Sequence, residues 1–305
     1  MRCVQARAEA RVGLLGNPSD LYGGRGLGFS VEDLGVVVRL SSAEALELPE
    51  PIFEACWSLF EPLAVERGPQ QAGPPHALEF ESNVPFQSGL SGSSALLIAA
   101  LRAWGEWYGV ALSATEQAEL ALRAEVEVLG LRAGPLDRLV QAFGGLVAMD
   151  FADPFGARAV RPLDAELLPP LLIAWHGQPG ENSGDVHAPV FARWEAGDAK
   201  IRSVMEQLGD NADAGCAALE SGDLATFRAC MDRNFDLRAS VFPIHQDDAN
   251  LIGLGRELGG SAKFPGSGGS VLFAARDEAH LSEIEAACAA AGHSHLRPRP
   301  GPRYA

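Results

Sequence analysis

Apolar residues in the first half of the chain occur in short runs separated by glycine and polar residues. Such runs predict strands, which we place at residues 10–15, 34–40, 77–80 and 146–151. Residues 94–108 and 113–129 instead carry apolar positions at helical spacing, and Ser113 with Glu116 has the pairing typical of a capped helix start. The first half is therefore predicted to combine a sheet with two helices.

The second half begins with an apolar run at residues 171–175 that predicts a buried strand. A further strand is predicted at 271–275, and helical patterns occur at residues 189–240, 247–258 and 281–291. The Pro-rich segment 154–170 separates the two halves. We therefore expect two lobes, residues 1–160 and 161–305, that share a cleft.

Charge and composition exclude several function classes. The chain has 24 basic and 40 acidic residues among 305, a net charge of −16, which repels nucleic-acid backbones and anionic lipid. The longest apolar run, residues 95–101, is far shorter than the roughly 20 residues of a membrane span. Charges within the first fifteen residues and five scattered cysteines favour a cytoplasmic protein with reduced thiols. We expect neither nucleic acid nor membrane as a partner, and the sequence specifies no oligomeric state.

The segment NVPFQSGLSGSSALLIAA, residues 83–100, joins a strand-like entry to a Gly/Ser turn and a long apolar helix. Gly89 and Gly92 allow the backbone to approach a ligand closely, and the free amides of a helix start favour phosphate. The hydroxyls of Ser91, Ser93 and Ser94 are suited to phosphate oxygens or Mg²⁺. No lysine follows the glycines, so this is not a Walker loop. An N-capped helix after a flexible turn is the alternative interpretation.

Two other segments carry polar residues or glycines at predicted strand ends. SAKFPGSGGSVLF, residues 261–273, contains a glycine turn that either lies beside the first or is an ordinary strand entry. ARVGLLGNPSDLYGGRG, residues 10–26, places Arg11, Asn17 and Asp20 around a strand end. Such a loop suits a small polar ligand, although an ordinary Gly-rich loop has the same composition.

The three segments, in this order and at this spacing, resemble the GHMP kinase superfamily over nearly the whole chain. Within it, GNPSD, AGPLDR, NSGDVH, DRNFDLR and KFPGSGG are most similar to the glucuronokinases. The resemblance implies an α+β fold with an N-terminal lobe like the second domain of ribosomal protein S5 and a ferredoxin-like C-terminal lobe. It also implies ATP and Mg²⁺ as cofactors, with nucleotide contacts in both glycine segments at Gly89, Leu90, Ser91, Gly92, Ser93, Ser94, Gly266, Ser267, Gly268 and Gly269.

The resemblance extends to the segment AEVEVLGLRAGPLD, residues 124–137. It implies that Glu125 ligates Mg²⁺ together with Ser94, and that Asp137 accepts the proton of the acceptor hydroxyl. Arg11 takes the place of a basic residue that keeps Asp137 ionised. Without the resemblance, Glu125 fits a solvated helix-face charge and Asp137 a helix-start carboxylate.

The resemblance also implies a sugar or sugar acid as the substrate. Asp20 matches a position that contacts sugar hydroxyls, and Asn17 with Pro18 replaces a Glu-His pair common in the superfamily. Ser183 lies in a long polar loop suited to closing over the substrate. A sugar acid also requires a cation for its carboxylate. We expect Arg138 to provide it because it follows Asp137, with Arg25 and Arg132 as alternatives.

The activity implied by the resemblance is ATP-dependent phosphorylation of the anomeric hydroxyl of glucuronate, giving glucuronate 1-phosphate. Two alternatives remain: a GHMP kinase acting on another sugar or mevalonate, and a GHMP-fold protein that binds a ligand without catalysis. Glu125, Asp137 and Ser94 are retained together, which favours a catalyst.

Overall fold

The computed structural model describes residues 2–68, 75–177 and 183–304. Its first sheet has five antiparallel strands, in the order β1-β2-β4-β5 with β3 also paired to β2: β1 (Cys3–Leu15), β2 (Arg25–Ser42), β3 (His76–Ser82), β4 (Leu146–Asp150) and β5 (Val160–Leu163). β1 and β2 form a long hairpin that pairs from Cys3↔Ser41 to Leu15↔Leu27. The C-terminal part of β2 pairs with β3, and its N-terminal part pairs with β4.

Four described helices belong to the first lobe: α1 (Pro51–Arg67), α2 (Gly92–Tyr108), α3 (Ala114–Arg123) and α4 (Leu136–Phe143). The capping box predicted at Ser113 and Glu116 is present at the start of α3. The end of α3 continues as a π-helical turn, Ala124–Val128, which carries Glu125. The buried face of α2, with Trp104 and Trp107, packs in one apolar core with residues of β1, β2, α1, α3 and α4.

The second sheet is antiparallel, with the order β7-β8-β6-β9: β6 (Leu171–Trp175), β7 (Ser261–Lys263), β8 (Ser270–Ala274) and β9 (Ser294–Leu296). The described helices of this lobe are α5 (Ser183–Glu195), α6 (Ala199–Glu220), α7 (Leu224–Ala239), α8 (Gln246–Glu257) and α9 (Glu278–Ala290). This strand order confirms the expected ferredoxin-like lobe. None of the described helices combines the length and the apolar character needed to cross a membrane.

The two lobes pack together through a shared apolar core. Leu15 of β1 packs with Ile173 of β6, Leu272 of β8 and residues of α6 and α7 in this core. β5 pairs with β4, so the first sheet continues to Leu163, beyond the lobe boundary predicted at residue 160. The C-terminal segment then returns to the first lobe, where the Tyr304 amide donates to the Phe143 carbonyl at 2.8 Å. These contacts fix the walls of the cleft between the lobes.

Candidate active site

The two glycine turns, which are far apart in sequence, lie against each other. Gly89 has a φ of +69°, and a Cβ added there would lie 2.5 Å from the Gly268 carbonyl oxygen. A Cβ added at Gly266 would overlap the Gly89 carbonyl. Ser270 Oγ also donates a 2.5 Å hydrogen bond to the Ser88 carbonyl. The absence of side chains at these glycines therefore allows the two backbones to form one continuous surface.

Arg11 of β1 connects both turns to Asp137. Its Nη1 donates to the carbonyls of Gly89 at 2.7 Å and Pro265 at 3.0 Å, and its Nε donates to Asp137 Oδ1 at 2.6 Å. The Gly13 amide donates to the same Pro265 carbonyl at 2.9 Å. The three segments that the sequence singled out thus converge on one buried guanidinium.

Asp137 lies in the first turn of α4 and is held from both sides. Besides Arg11, Ser91 Oγ donates to Asp137 Oδ2 at 2.7 Å. Burial raises the pKa of Asp137, but the charges of Arg11 and Arg138 and the two hydrogen bonds outweigh burial and bring it to about 2. The side chain remains 23% exposed. An ionised, oriented carboxylate is therefore accessible from the cleft at neutral pH.

Ser91 occupies an uncommon backbone conformation at the start of α2. Its φ is +62°, in a region that residues other than glycine rarely adopt. Its hydroxyl does not cap α2 but contacts Asp137, and its carbonyl accepts a 2.8 Å bond from Gln141 Nε2. The first glycine turn is therefore linked to Asp137 by a direct side-chain hydrogen bond, which the sequence pattern did not predict.

Glu125 and Arg138 form a buried ion pair beside Asp137. Arg138 donates through Nε at 2.7 Å, and also through Nη2, to Glu125 Oε2, while its Nη1 donates to the Gly134 carbonyl at 2.8 Å. Burial raises the pKa of Glu125, and the Arg138 charge opposes this rise. Glu125 Oε1 lies 3.5 Å from Ser93 Oγ. Arg138 is thus paired with Glu125, and it also lines the cleft, so its expected role toward a substrate carboxylate stays a prediction.

The oxygen atoms at Glu125 fit the ligand preferences of Mg²⁺. Ser93 contacts Glu125, whereas the buried Ser94 Oγ donates to the Ser91 carbonyl at 3.3 Å. Across residues 2–68, 75–177 and 183–304, no group of three or more His, Cys, Asp or Glu side chains is arranged to hold a metal ion. A site with one carboxylate oxygen and a serine hydroxyl suits Mg²⁺, which retains waters and takes further ligands from bound phosphates.

Asp20 is in the 3-10 turn Ser19–Tyr22 and also lines the cleft. The Leu136 amide donates to its Oδ2 at 3.4 Å. Burial and the nearby charge of Asp137 raise the pKa of Asp20 to about 6. Asp20 and Asp137 thus have strongly separated pKa values in one cleft, an arrangement typical of functional sites.

Asn17, which is expected to bind substrate, lines the cleft and also makes hydrogen bonds between the lobes. Its Oδ1 accepts from Lys263 Nζ at 2.8 Å, and its Nδ2 donates to the Phe264 carbonyl at 3.3 Å. Lys263 Nζ also donates to the carbonyls of Gly13 and Phe264, both at 2.6 Å. Burial lowers the pKa of Lys263 well below its ordinary value. This pair fixes the N-terminal segment to the strand that leads into the second glycine turn.

Ser183 is the first residue of α5, but its side chain lies outside the described residues.

Arg238 of α7 is a residue of the cleft for which the sequence pattern predicted no role. It donates through Nη2 to the Ser267 carbonyl at 2.7 Å. Arg238 belongs to the DRNFDLR segment, and the similarity of this segment to glucuronokinases is the sequence feature that could have identified Arg238 as a site residue.

The cleft is a cavity of about 720 Å³ with two chemically different linings. One lining is apolar and comes from the first lobe: Ile52, Phe80, Val84, Phe86 and Leu96. Charged residues of both lobes line the rest, together with Glu50 beside Ile52: Arg11, Asp20, Glu125, Arg132, Asp137, Arg138 and Arg238. Residues of both glycine turns also line the cavity. It therefore suits a ligand with a flat apolar part, an anionic part and a polar hydroxylated part.

Comparison with known proteins gives consistent matches in both lobes. The family described as GHMP kinases N terminal domain matches residues 52–145, and GHMP kinases C terminal matches residues 217–294. The chain is 32% identical to glucuronokinase 1 of Arabidopsis thaliana, over 95% of the chain and 90% of that relative. It is 33% identical to probable glucuronokinase 2 of the same plant, over 94% of the chain and 88% of that relative.

A likeness in fold extends to a solved structure of much lower identity. The galactokinase of Lactococcus lactis, crystallised with galactose, superposes with a TM-score of 0.82 at 13% identity, covering 98% of this chain and 94% of the galactokinase. At this identity the likeness concerns the arrangement of the two lobes alone.

Proposed function

The chain belongs to the GHMP kinase family and is a phosphotransferase with an alcohol group as acceptor, and we propose that it phosphorylates the anomeric hydroxyl of glucuronate with ATP. The products are glucuronate 1-phosphate and ADP. The observation that carries this proposal is the Asp137 carboxylate, which Arg11 holds ionised next to the two joined glycine turns. The similarity to glucuronokinases along nearly the whole chain supports the choice of acceptor.

The two linings of the cleft support one orientation of ATP. The apolar lining suits the adenine ring, and the amides at the start of α2 together with both glycine turns suit the phosphates. Glu125, with Ser93 or Ser94, would hold Mg²⁺, which supplies charge neutralisation on the phosphates when bound. The charged lining then remains for the acceptor.

Asp137 orients the acceptor hydroxyl by accepting its hydrogen bond. As the hydroxyl oxygen bonds to the γ-phosphorus and the bond to the ADP oxygen breaks, the hydroxyl proton passes to an Asp137 oxygen. A carboxylate with a pKa of about 2 is a weak base, so proton transfer follows most of the bond formation to phosphorus. Arg11 keeps this carboxylate ionised and in place until then.

Three arginines were expected as candidates for the carboxylate of a sugar acid, and their ion pairs separate them. Arg138 is bound to Glu125, and Arg25 forms ion pairs with Asp210 and Asp213. Arg132 lines the cavity with its guanidinium 4.3 Å from the ring centre of Phe191, and no carboxylate among the described residues lies within ion-pair distance of it. We therefore assign the substrate carboxylate to Arg132, in place of Arg138.

Replacing Arg132 by glutamine tests this assignment and the choice of acceptor together. In the wild type, ADP release should favour glucuronate over neutral sugars and mevalonate. Arg132→Gln should raise the KM for glucuronate about tenfold, because charge-assisted hydrogen bonds to the carboxylate are lost, and leave the KM for ATP unchanged. Arg25→Gln, which alters an arginine in surface ion pairs, is the matched control. Preference for galactose or mevalonate would reject glucuronate, and an unchanged KM would reject Arg132.

The raised pKa of Asp20 predicts an acidic limb in the pH profile. An ionised Asp20 accepts hydrogen bonds from sugar hydroxyls, and protonation removes one acceptor oxygen. With ATP saturating, kcat/KM for the sugar should fall as pH drops through about 6, the pKa of Asp20. Asp20→Asn should have a lower but flatter profile between pH 5 and 7. If the acidic limb persists in Asp20→Asn, another group causes it.

A further inference from the structure

Arg238 is a buried cation that forms no ion pair with a carboxylate among the described residues. It is 2% exposed and lies over the rings of Phe242 and Phe264 at 4.8 and 5.4 Å. Its Nη2 bonds to the Ser267 carbonyl, and its Nε has no hydrogen-bond partner among the described residues. The charge of the buried Asp248 partly offsets the effect of burial on Arg238, but no direct ion pair is formed between them. Burying a charge without a directly bonded opposite charge is costly, and a bound anion would reduce that cost. Arg238 lines the cleft, so the structure provides a route for such a ligand.

His187 of α5 lies next to Arg238 and shares its surroundings. Its ring meets the Phe242 ring edge-on with centroids 5.4 Å apart, and its buried Nδ1 has no partner in the described part of the chain. Burial and the Arg238 charge lower the pKa of His187 to about 3. The imidazole is therefore neutral at physiological pH and adds a hydrogen-bonding group without adding repulsion to the site. His187 also lines the cleft.

The position of this pair indicates which anion it binds. Arg238 bonds to Ser267 of the second glycine turn, and Arg11 bonds to Pro265 at the start of the same turn. The two guanidinium groups thus hold this turn at two points along its backbone, and the Arg11 group is bonded to Asp137. An anion that rests on the turn and reaches Asp137 would meet both cations.

We propose that Arg238 and His187 bind the terminal phosphoryl group of the nucleotide. This inference rests on the proposed function. The phosphoryl oxygens provide a directly bonded anion for Arg238 and acceptors for Arg238 Nε and His187 Nδ1, which have no partner among the described residues. A diphosphate lacks this group, so the pair distinguishes ATP from ADP. It holds the group that is transferred, whereas the glycine turns hold the part of the nucleotide that ATP and ADP share.

The test compares the affinity of two ligands, ADP and the non-hydrolysable β,γ-imido analogue of ATP, by titration calorimetry. Arg238→Gln should weaken binding of the triphosphate about tenfold or more and change ADP binding less than about twofold. His187→Asn should reduce triphosphate affinity in the same selective way, by a smaller factor. Arg233→Gln, an exposed arginine on the same helix α7, is the matched control and should change neither affinity.

The outcomes separate this inference from the proposed function. Equal weakening of ADP and triphosphate binding by Arg238→Gln would overturn it, as would a loss of glucuronate affinity with nucleotide binding unchanged. A wild-type protein that binds neither nucleotide would instead contradict the proposed function. If Arg238→Gln does not fold, Arg238→Lys keeps the charge but loses the planar fork, and it should reduce triphosphate selectivity partially. Wild-type selectivity in both Arg238→Lys and His187→Asn would overturn the inference.

Discussion

Asp137→Asn is expected to lower turnover by about 10² or more while leaving nucleotide affinity nearly unchanged. Asparagine has the same shape, and its Oδ1 can still accept the bond from Arg11 Nε, now 2.6 Å from Asp137. The arrangement of Arg11 with the Gly89 and Pro265 carbonyls is therefore preserved. The amide has no negative charge and cannot receive the hydroxyl proton, so the chemical step loses its acceptor.

The measurement is kcat at saturating ATP and glucuronate, with ATP affinity determined separately by titration. Asp247→Asn is the control, because Asp247 is also in the first turn of a helix, α8, but is exposed and lies outside the cleft. It should retain wild-type turnover. Near-normal turnover in Asp137→Asn would mean that Asp137 does not accept the hydroxyl proton, even if ATP still binds at the glycine turns.

The fold was predictable where a local pattern alone determines an element. The apolar run at residues 171–175 coincides with β6, because polar or proline residues bound it on both sides. β1 begins at Cys3, earlier than the predicted strand at 10–15, and pairs with β2 along this added part. The added part includes the buried Glu9, whose carboxylate accepts 2.8 Å bonds from Tyr304, so charge in the sequence concealed the strand. α1 was not predicted, and it contains Pro62, a residue that usually ends a helix.

The candidate site was predictable as a set of segments, since glycine and serine specify turns locally. The partners of its charged and polar side chains were not, because they depend on residues far away in sequence. Arg138 follows Asp137, yet it pairs with Glu125 from the π-helical turn. The Asn17 side-chain oxygen likewise accepts a hydrogen bond from the buried Lys263, which is 246 residues away in sequence.

Gly266→Ala is the second change with a large expected effect, because it would force the two glycine turns apart. The new Cβ would overlap the Gly89 carbonyl, which is backbone and cannot rotate away as a side chain does. It would also lie 3.0 Å from Arg11 Nη1, which bonds to both turns. Overpacking of this kind costs about 1–3 kcal/mol, so kcat/KM for ATP should fall by up to about a hundredfold.

Gly253→Ala is the matched control for Gly266→Ala. Gly253 is in α8, and an added Cβ there would meet nothing within 4 Å, so alanine should be neutral or slightly stabilising. Both variants should be compared by kcat/KM for ATP and by thermal unfolding, which separates a displaced turn from general loss of the fold. Wild-type kcat/KM in Gly266→Ala would mean that ATP does not need the turns in contact, and the phosphate site would then have to be placed on the start of α2 alone.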